Sequence, residues 1–154
     1  MVLADLLTDL MSSVKNGNSV RVETLRFLIS DVRNMAIAKY ANEAEQKLAE
    51  ADILDVVKKQ VKTHRESVDA FTNAGRLDLA AKETAQLEVL MGFLPKEMSD
   101  EELKKLLAPV VSGWEKNPPA GGLVFGLLMK SAMAVVAGRA DGGRVASILR
   151  QMTV

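Results

Sequence analysis

Apolar residues recur along this chain every three or four positions, the spacing that gathers them on one side of an α-helix. Leu3, Leu6, Leu7, Leu10, Met11 and Val14 form the first stripe, and the polar run Lys15–Asn18 breaks it. Ser19 is placed to cap a second helix, with Val22, Leu25, Leu28, Ile29, Val32, Met35 and Ala36 on its apolar side. A polar stretch from Tyr40 to Asp52 leads into a third helix, whose stripe is Leu54, Val57, Val61, His64, Val68 and Phe71. Gly75 stands where a helix C-terminus favours a left-handed residue. A fourth stripe, Leu77, Ala80, Thr84, Leu87, Met91 and Leu94, stops at Pro95, which cannot continue a helix.

The chain then restarts. Ser99 and Glu102 have the spacing of a capping box, ahead of a stripe of Leu103, Leu106, Leu107, Val110, Val111 and Trp114. Pro109 falls inside that stripe and is expected to kink the helix or end it early. Asn117–Gly122 reads as a loop, Leu123–Val136 as a helix apolar nearly all round. Asp141 is expected to cap a last helix that buries Val145, Ile148, Leu149 and Met152. No segment alternates with period two long enough to propose a strand. The pattern predicts an all-α, multihelical fold of two all-helical subdomains, a four-helix part over 1–95 and a three-helix bundle over 96–154.

Composition narrows the class. The chain has no cysteine, which excludes disulfides and thiolate metal sites and fits a reducing compartment. Aromatic residues are scarce, which favours helix over strand. No apolar run approaches the roughly 20 residues that span a bilayer. The N-terminus carries Asp5 and Asp9 and no basic segment, unlike a secretory signal, so the expected location is cytoplasmic, away from membranes. With 20 Lys/Arg against 20 Asp/Glu, the whole molecule is not built for strong non-specific nucleic-acid binding. The tail differs: from Lys116 onward the cations are Lys116, Lys130, Arg139, Arg144 and Arg150, against Asp141 as the one acidic side chain.

Candidate chemistry is sparse. His64, the single histidine, lies on an apolar stripe and reads as a packed, hydrogen-bonded residue. No metalloprotease, phosphate-loop or dinucleotide motif occurs, and no cofactor is expected. Lys62 with Glu66 and Arg65 with Asp69 have the spacing of exposed helical ion pairs. Lys58, Lys62 and Arg65 make a ridge on the third helix, and Arg26 and Arg33 share a side of the second. The segment Ala137–Leu149 is more pointed. Gly138 permits an unusual backbone turn, Asp141 can cap the amide of Gly143 or Arg144, and Arg139 and Arg144 flank a helix start whose amides attract anions. Asp141 competes with any such anion, so a structural corner and a phosphate contact both stand open. Arg139 and Arg144 are expected to be exposed, with Lys130 nearby and Arg150 about 120° from Arg144 around the last helix.

Several pieces in order resemble the GatB/YqeY family, in particular its small stand-alone YqeY-like members. They are Lys62, Arg65, Ser67, Ala74–Glu83 (AGRLDLAAKE), Phe93–Pro95 (FLP), Gly126–Lys130 (GLLMK), Gly138–Gly142 (GRADG) and Val145, and together they run along essentially the whole chain. Pro109 and the stretch WEKNPPAGG depart from that pattern. The resemblance implies an all-helical fold of two subdomains, related to the tail of the B subunit of glutamine-dependent tRNA amidotransferases. It implies a tRNA-associated module, with Lys130, Arg139, Arg144 and Arg150 as candidate nucleic-acid contacts. The alternative it implies is an adaptor docking on an amidotransferase or another translation component. The carbon–nitrogen ligase chemistry of those relatives belongs to a separate domain, to which nothing in this sequence corresponds. No catalytic residue and no enzymatic activity is therefore expected.

Overall fold

The structure, a computed structural model, describes residues 1–116 and 125–153. The expected loop Asn117–Gly122 and the first two residues of the expected helix Leu123–Val136 lie outside them. The described residues are helical throughout, with no strand: α1 (Leu3–Lys15), α2 (Ser19–Tyr40), a 3₁₀ turn (Ala41–Glu43), a single-turn α3 (Ala44–Lys47), α4 (Glu50–Asn73), α5 (Leu77–Met91), α6 (Asp100–Lys116), α7 (Phe125–Val136) and α8 (Gly142–Met152). The fold is all-α and multihelical. The chain divides into two compact units, Met1–Leu94 and Pro95–Val154.

In the first unit α2 packs against α1, α4 and α5, and α4 pairs with α5 along its length. The buried core is Leu6 from α1, Leu25, Leu28, Ile29 and Val32 from α2, Ile53, Val56, Val57 and Val61 from α4, and Leu90 from α5. Three details depart from the sequence pattern. Asn18, not Ser19, caps α2, its side-chain oxygen accepting from the Arg21 amide at 3.1 Å; Ser19 is already the first helical residue, so its own side chain stands one position too late for the cap. On α4 the buried line runs through Ile53 and Val56, one position from the expected Leu54. On α5, Leu77 and Met91 are exposed, and the face turned inward carries Ala80, Gln86 and Leu90. A stripe drawn only through apolar residue types passes over Gln86, so the predicted face was rotated.

Among the polar groups that link helices of this unit, one carboxylate is buried. Asp52, 6% exposed, accepts from Lys39 Nζ at 2.6 Å and from the Tyr40 hydroxyl at 2.7 Å, which joins the end of α2 to the start of α4. It also accepts from the Ala49 amide at 3.0 Å and so caps α4. The Lys39 ammonium, followed by the Ala49 amide and the Tyr40 hydroxyl, holds the Asp52 carboxyl at about 2, below its ordinary 3.8. Lys39 is raised in turn by the same contact.

In the second unit α6 contributes Leu103, Leu107 and Val111 to the core, α7 contributes Leu128, Ala132 and Val136, and α8 contributes Val145, Ile148 and Leu149; Ala140 joins them from the α7–α8 turn. The capping box forms at α6: the Ser99 amide donates to Glu102 Oε2 at 2.9 Å, and the Glu102 amide donates to Ser99 Oγ at 3.3 Å. Those contacts lower the Glu102 pKa. Pro109 does not end α6, which runs on to Lys116. Pro109 and Lys105 both lie on the exposed side of the helix, so the Lys105 carbonyl that loses its donor faces water.

Candidate nucleic-acid interface

The turn between α7 and α8 is built from two consecutive left-handed residues, Ala137 at φ 51° and Gly138 at φ 79°. Glycine accepts that region freely and alanine at a cost. Asp141 follows in extended conformation, and its Oδ1 accepts from the Arg144 amide at 3.1 Å, so the expected cap is present. Gly143 makes room for it: a Cβ there would stand 3.0 Å from Asp141 Oδ1. A carboxylate on these first-turn amides already complements the positive end of the helix.

Arg144 corrects the sequence expectation. Its side chain is 33% exposed, and its guanidinium is turned to the start of α6. Nη2 donates to the Met98 carbonyl at 2.8 Å and to Asp100 Oδ1 at 2.6 Å, while Nη1 lies 3.8 Å from Glu97. These acids raise the Arg144 pKa, Asp100 foremost. Met98 is held from both sides, because its amide also donates to the Arg139 carbonyl at 2.9 Å. The short separation between Asp100 and Arg144 arises only when α6 and α8 pack, which no local spacing encodes. Arg144 is thus a clamp within its unit rather than a free cation.

The other three candidates are placed differently. Lys130 and Arg150 are exposed and Arg139 is half-buried; none makes an ion pair among the described residues. Arg150 lies 5.4 Å from the centroid of the Phe125 ring, a cation–π contact at the opening of α7. Arg139 comes after the last turn of that same helix. At about 1.5 Å of rise per residue the two stand on the order of 16 Å apart, with Lys130 between them along the helix. The candidates do not converge on one point, as a single-phosphate grip requires; they are distributed along the α7–α8 hairpin.

In the first unit, Lys58, Lys62 and Arg65 are exposed on α4 and Arg26 and Arg33 on α2. Lys62 reaches Glu66 at 4.0 Å, whereas Arg65 turns to Met91 Sδ at 4.0 Å rather than to Asp69. His64 is a half-buried residue whose Nδ1 meets Glu83 Oε2 at 2.6 Å. Its partner lies on the next helix, 19 residues on. Among the described residues no three His, Cys, Asp or Glu side chains converge as a metal set, and no helix is long and apolar enough to cross a membrane.

Three curated proteins are similar to this chain. A protein of Pyrenophora tritici-repentis named altered inheritance of mitochondria protein 41, mitochondrial, is 28% identical over 133 residues, covering 85% of this chain and 71% of the relative. An uncharacterized protein of Schizosaccharomyces pombe is 33% identical over 92 residues, covering 59% of this chain and 70% of the relative. A protein of Eremothecium gossypii with the same name as the first is 27% identical over 92 residues, covering 60% of this chain and 48% of the relative. A family model for the YqeY-like protein matches residues 3–152, all but the extreme ends, and the chain belongs to that family.

Proposed function

We propose that this chain is a non-catalytic, tRNA-associated module that contacts phosphates along its α7–α8 hairpin. The observation that carries the reading is the division of charge in the second unit. On the hairpin itself the one carboxylate, Asp141, is engaged by the α8 cap, while Lys130 and Arg150 have no ion pair among the described residues and Arg139 acts on the α6-capping Glu102 only at longer range. Cations left uncompensated along one hairpin are free to displace counterions from a nucleic-acid backbone. The resemblance to the amidotransferase tail supports tRNA as that nucleic acid. An aqueous setting belongs to the same reading, in the cytoplasm or in the mitochondrion that two relatives carry in their names.

A filter-binding titration against tRNA at two salt concentrations tests it. Binding is expected to weaken steeply with salt, and the triple variant Lys130→Gln, Arg139→Gln, Arg150→Gln to flatten the slope by about one unit per lost contact. An unchanged slope removes the hairpin from the interface. Leu127 and Val135, 48% and 40% exposed on α7, favour a second reading, an adaptor docking on an amidotransferase or another translation component. Binding of such a partner with little response to salt, and without tRNA affinity, is its signature. For the absence of catalysis, purified protein supplied with glutamine, ATP, magnesium and misacylated tRNA is expected to transfer no amide; turnover lost on mutating this chain overturns that.

A further inference from the structure

A groove of about 390 Å³ opens between α2, α4 and α5, with Phe27, Lys59, Gln60, His64, Glu83 and Gln86 on its walls. Most of its charge is paired internally. Lys82 Nζ stands 3.2 Å from Glu23, Gln60 Nε2 donates to Asp31 at 2.6 Å, and His64 Nδ1 meets Glu83 at 2.6 Å. Two wall groups are different in kind. Gln86 is 6% exposed, yet its carboxamide takes part in none of the side-chain hydrogen bonds among the described residues. Among the described residues no fully enclosed side-chain polar atom lacks a partner, so the polar atoms of Gln86 open onto the groove. Phe27 is 62% exposed, a large apolar ring on the same wall. The groove therefore offers an entering molecule an amide edge held by no protein partner and, beside it, an uncovered aromatic face.

We propose that this groove binds the base of a nucleoside, a flat uncharged heteroaromatic ring with donor and acceptor adjacent on one edge. A carboxamide holds one acceptor and its N–H donors in a single plane, and the complement is the same pair reversed on a rigid edge. Phe27 supplies the stacking face. The volume lies in the range of about 300–1,000 Å³ usual for small-ligand sites. On the walls, Glu23, Asp31 and Glu83 outnumber Lys59 and Lys82, which disfavours a phosphate and leaves the ring as the recognised part. The inference does not rest on the tRNA reading, whose cations belong to the other unit. The base comes either from a free nucleoside or from an unstacked nucleotide of an RNA.

His64 is the chain's one histidine, so its ring resonances report on the groove without ambiguity. Adenosine, guanosine, cytidine and uridine are titrated into the full chain, followed by their 5′-monophosphates and a short single-stranded RNA. At least one nucleoside is expected to shift the His64 ring saturably, with the monophosphate binding no tighter. Phe27→Ala and Gln86→Leu are each expected to weaken binding about tenfold, the loss of a stacking contact or an edge pair. Should Gln86→Leu lose its helical circular dichroism, Phe27→Ala decides alone, since the exposed ring is not part of the core. Displacement of the nucleoside by RNA assigns the base to a polymer, and failure to displace it assigns the base to the free nucleoside. No shift with any nucleoside at millimolar concentration, tighter binding of the monophosphate, or parental affinity in Phe27→Ala overturns the proposal.

Discussion

Each unit has a charged hub that gathers several partners across helices, and the hubs have opposite sign. In the first the hub is a carboxylate: Asp52, nearly buried, gathers Lys39, Tyr40 and the Ala49 amide. In the second it is a guanidinium: Arg144, a third exposed, gathers Asp100, Glu97 and the Met98 carbonyl. A carboxylate hub can be switched off by acid at its own centre. A guanidinium stays charged, so acid can act on the second hub only through its partners. The hubs also determine which charges remain for other work. Asp52 consumes a lysine, whereas Arg144 absorbs acids and leaves cations unpaired on the hairpin behind it.

Beneath the hubs both units stand on ordinary apolar cores, and opening those cores gives the largest expected effect. Leu28→Ala in the first unit and Leu107→Ala in the second, both fully buried, are each expected to cost about 2–5 kcal/mol in urea unfolding. A much smaller loss at either site would mean that its hub, not its core, holds that unit. Asp141→Ala removes the α8 cap. Losing the α8 cap is expected to cost about 1 kcal/mol, read as a lower unfolding midpoint. If the cost is negligible, Arg144 holds the start of α8 without help from the cap.

The sign of the hubs is tested by acid. Asp52 is depressed in the folded chain, so its contribution is fully present above the ordinary 3.8 and is lost as pH falls towards about 2. Asp52→Asn is therefore expected to lower stability at neutral pH and to flatten its fall across that window, measured by urea unfolding at several pH values. A parallel fall in parent and variant would show that the hub lies elsewhere. The smallest expected effect is on the stability of the Lys130→Gln, Arg150→Gln chain, within about 0.5 kcal/mol of the parent for each exposed substitution. A larger loss would reveal that these cations hold the fold.

Helices were legible because their signal is local. Gly75, with φ 71° after α4, and the Ser99–Glu102 box act within one turn, and both formed where their spacing placed them. The faces of the helices were less legible, because what lies opposite decides them. Gln86 faces inward among α2 and α4 although its type reads as surface, and Leu77 faces outward although its type reads as core. Asn18 and Ser19 are both good caps, and one residue of helix length separates them. The candidate site was legible in its turn chemistry, the Gly138 conformation and the Asp141 cap, and not in its charges. Arg144 was read beside its sequence neighbours, but its acid partner sits 44 residues away. The groove was not legible at all, since its walls come from three helices and its histidine pairs across two of them.

The two-sided hold on Met98 has a consequence in time. Its carbonyl is bonded by a residue 46 positions later, and its amide by the carbonyl of Arg139. Neither bond can form until the intervening chain has closed, a cost that grows with the length of that chain. The α7–α8 turn is closed by local contacts such as the Arg139 amide on the Val136 carbonyl at 3.2 Å. Nucleating contacts of that range form early, and the capture of Met98 comes late. The segment ahead of α6 is then expected to lock after the α7–α8 turn has closed and to be released before that turn opens. The Met98 amide, followed by hydrogen exchange, serves as the clock for both events.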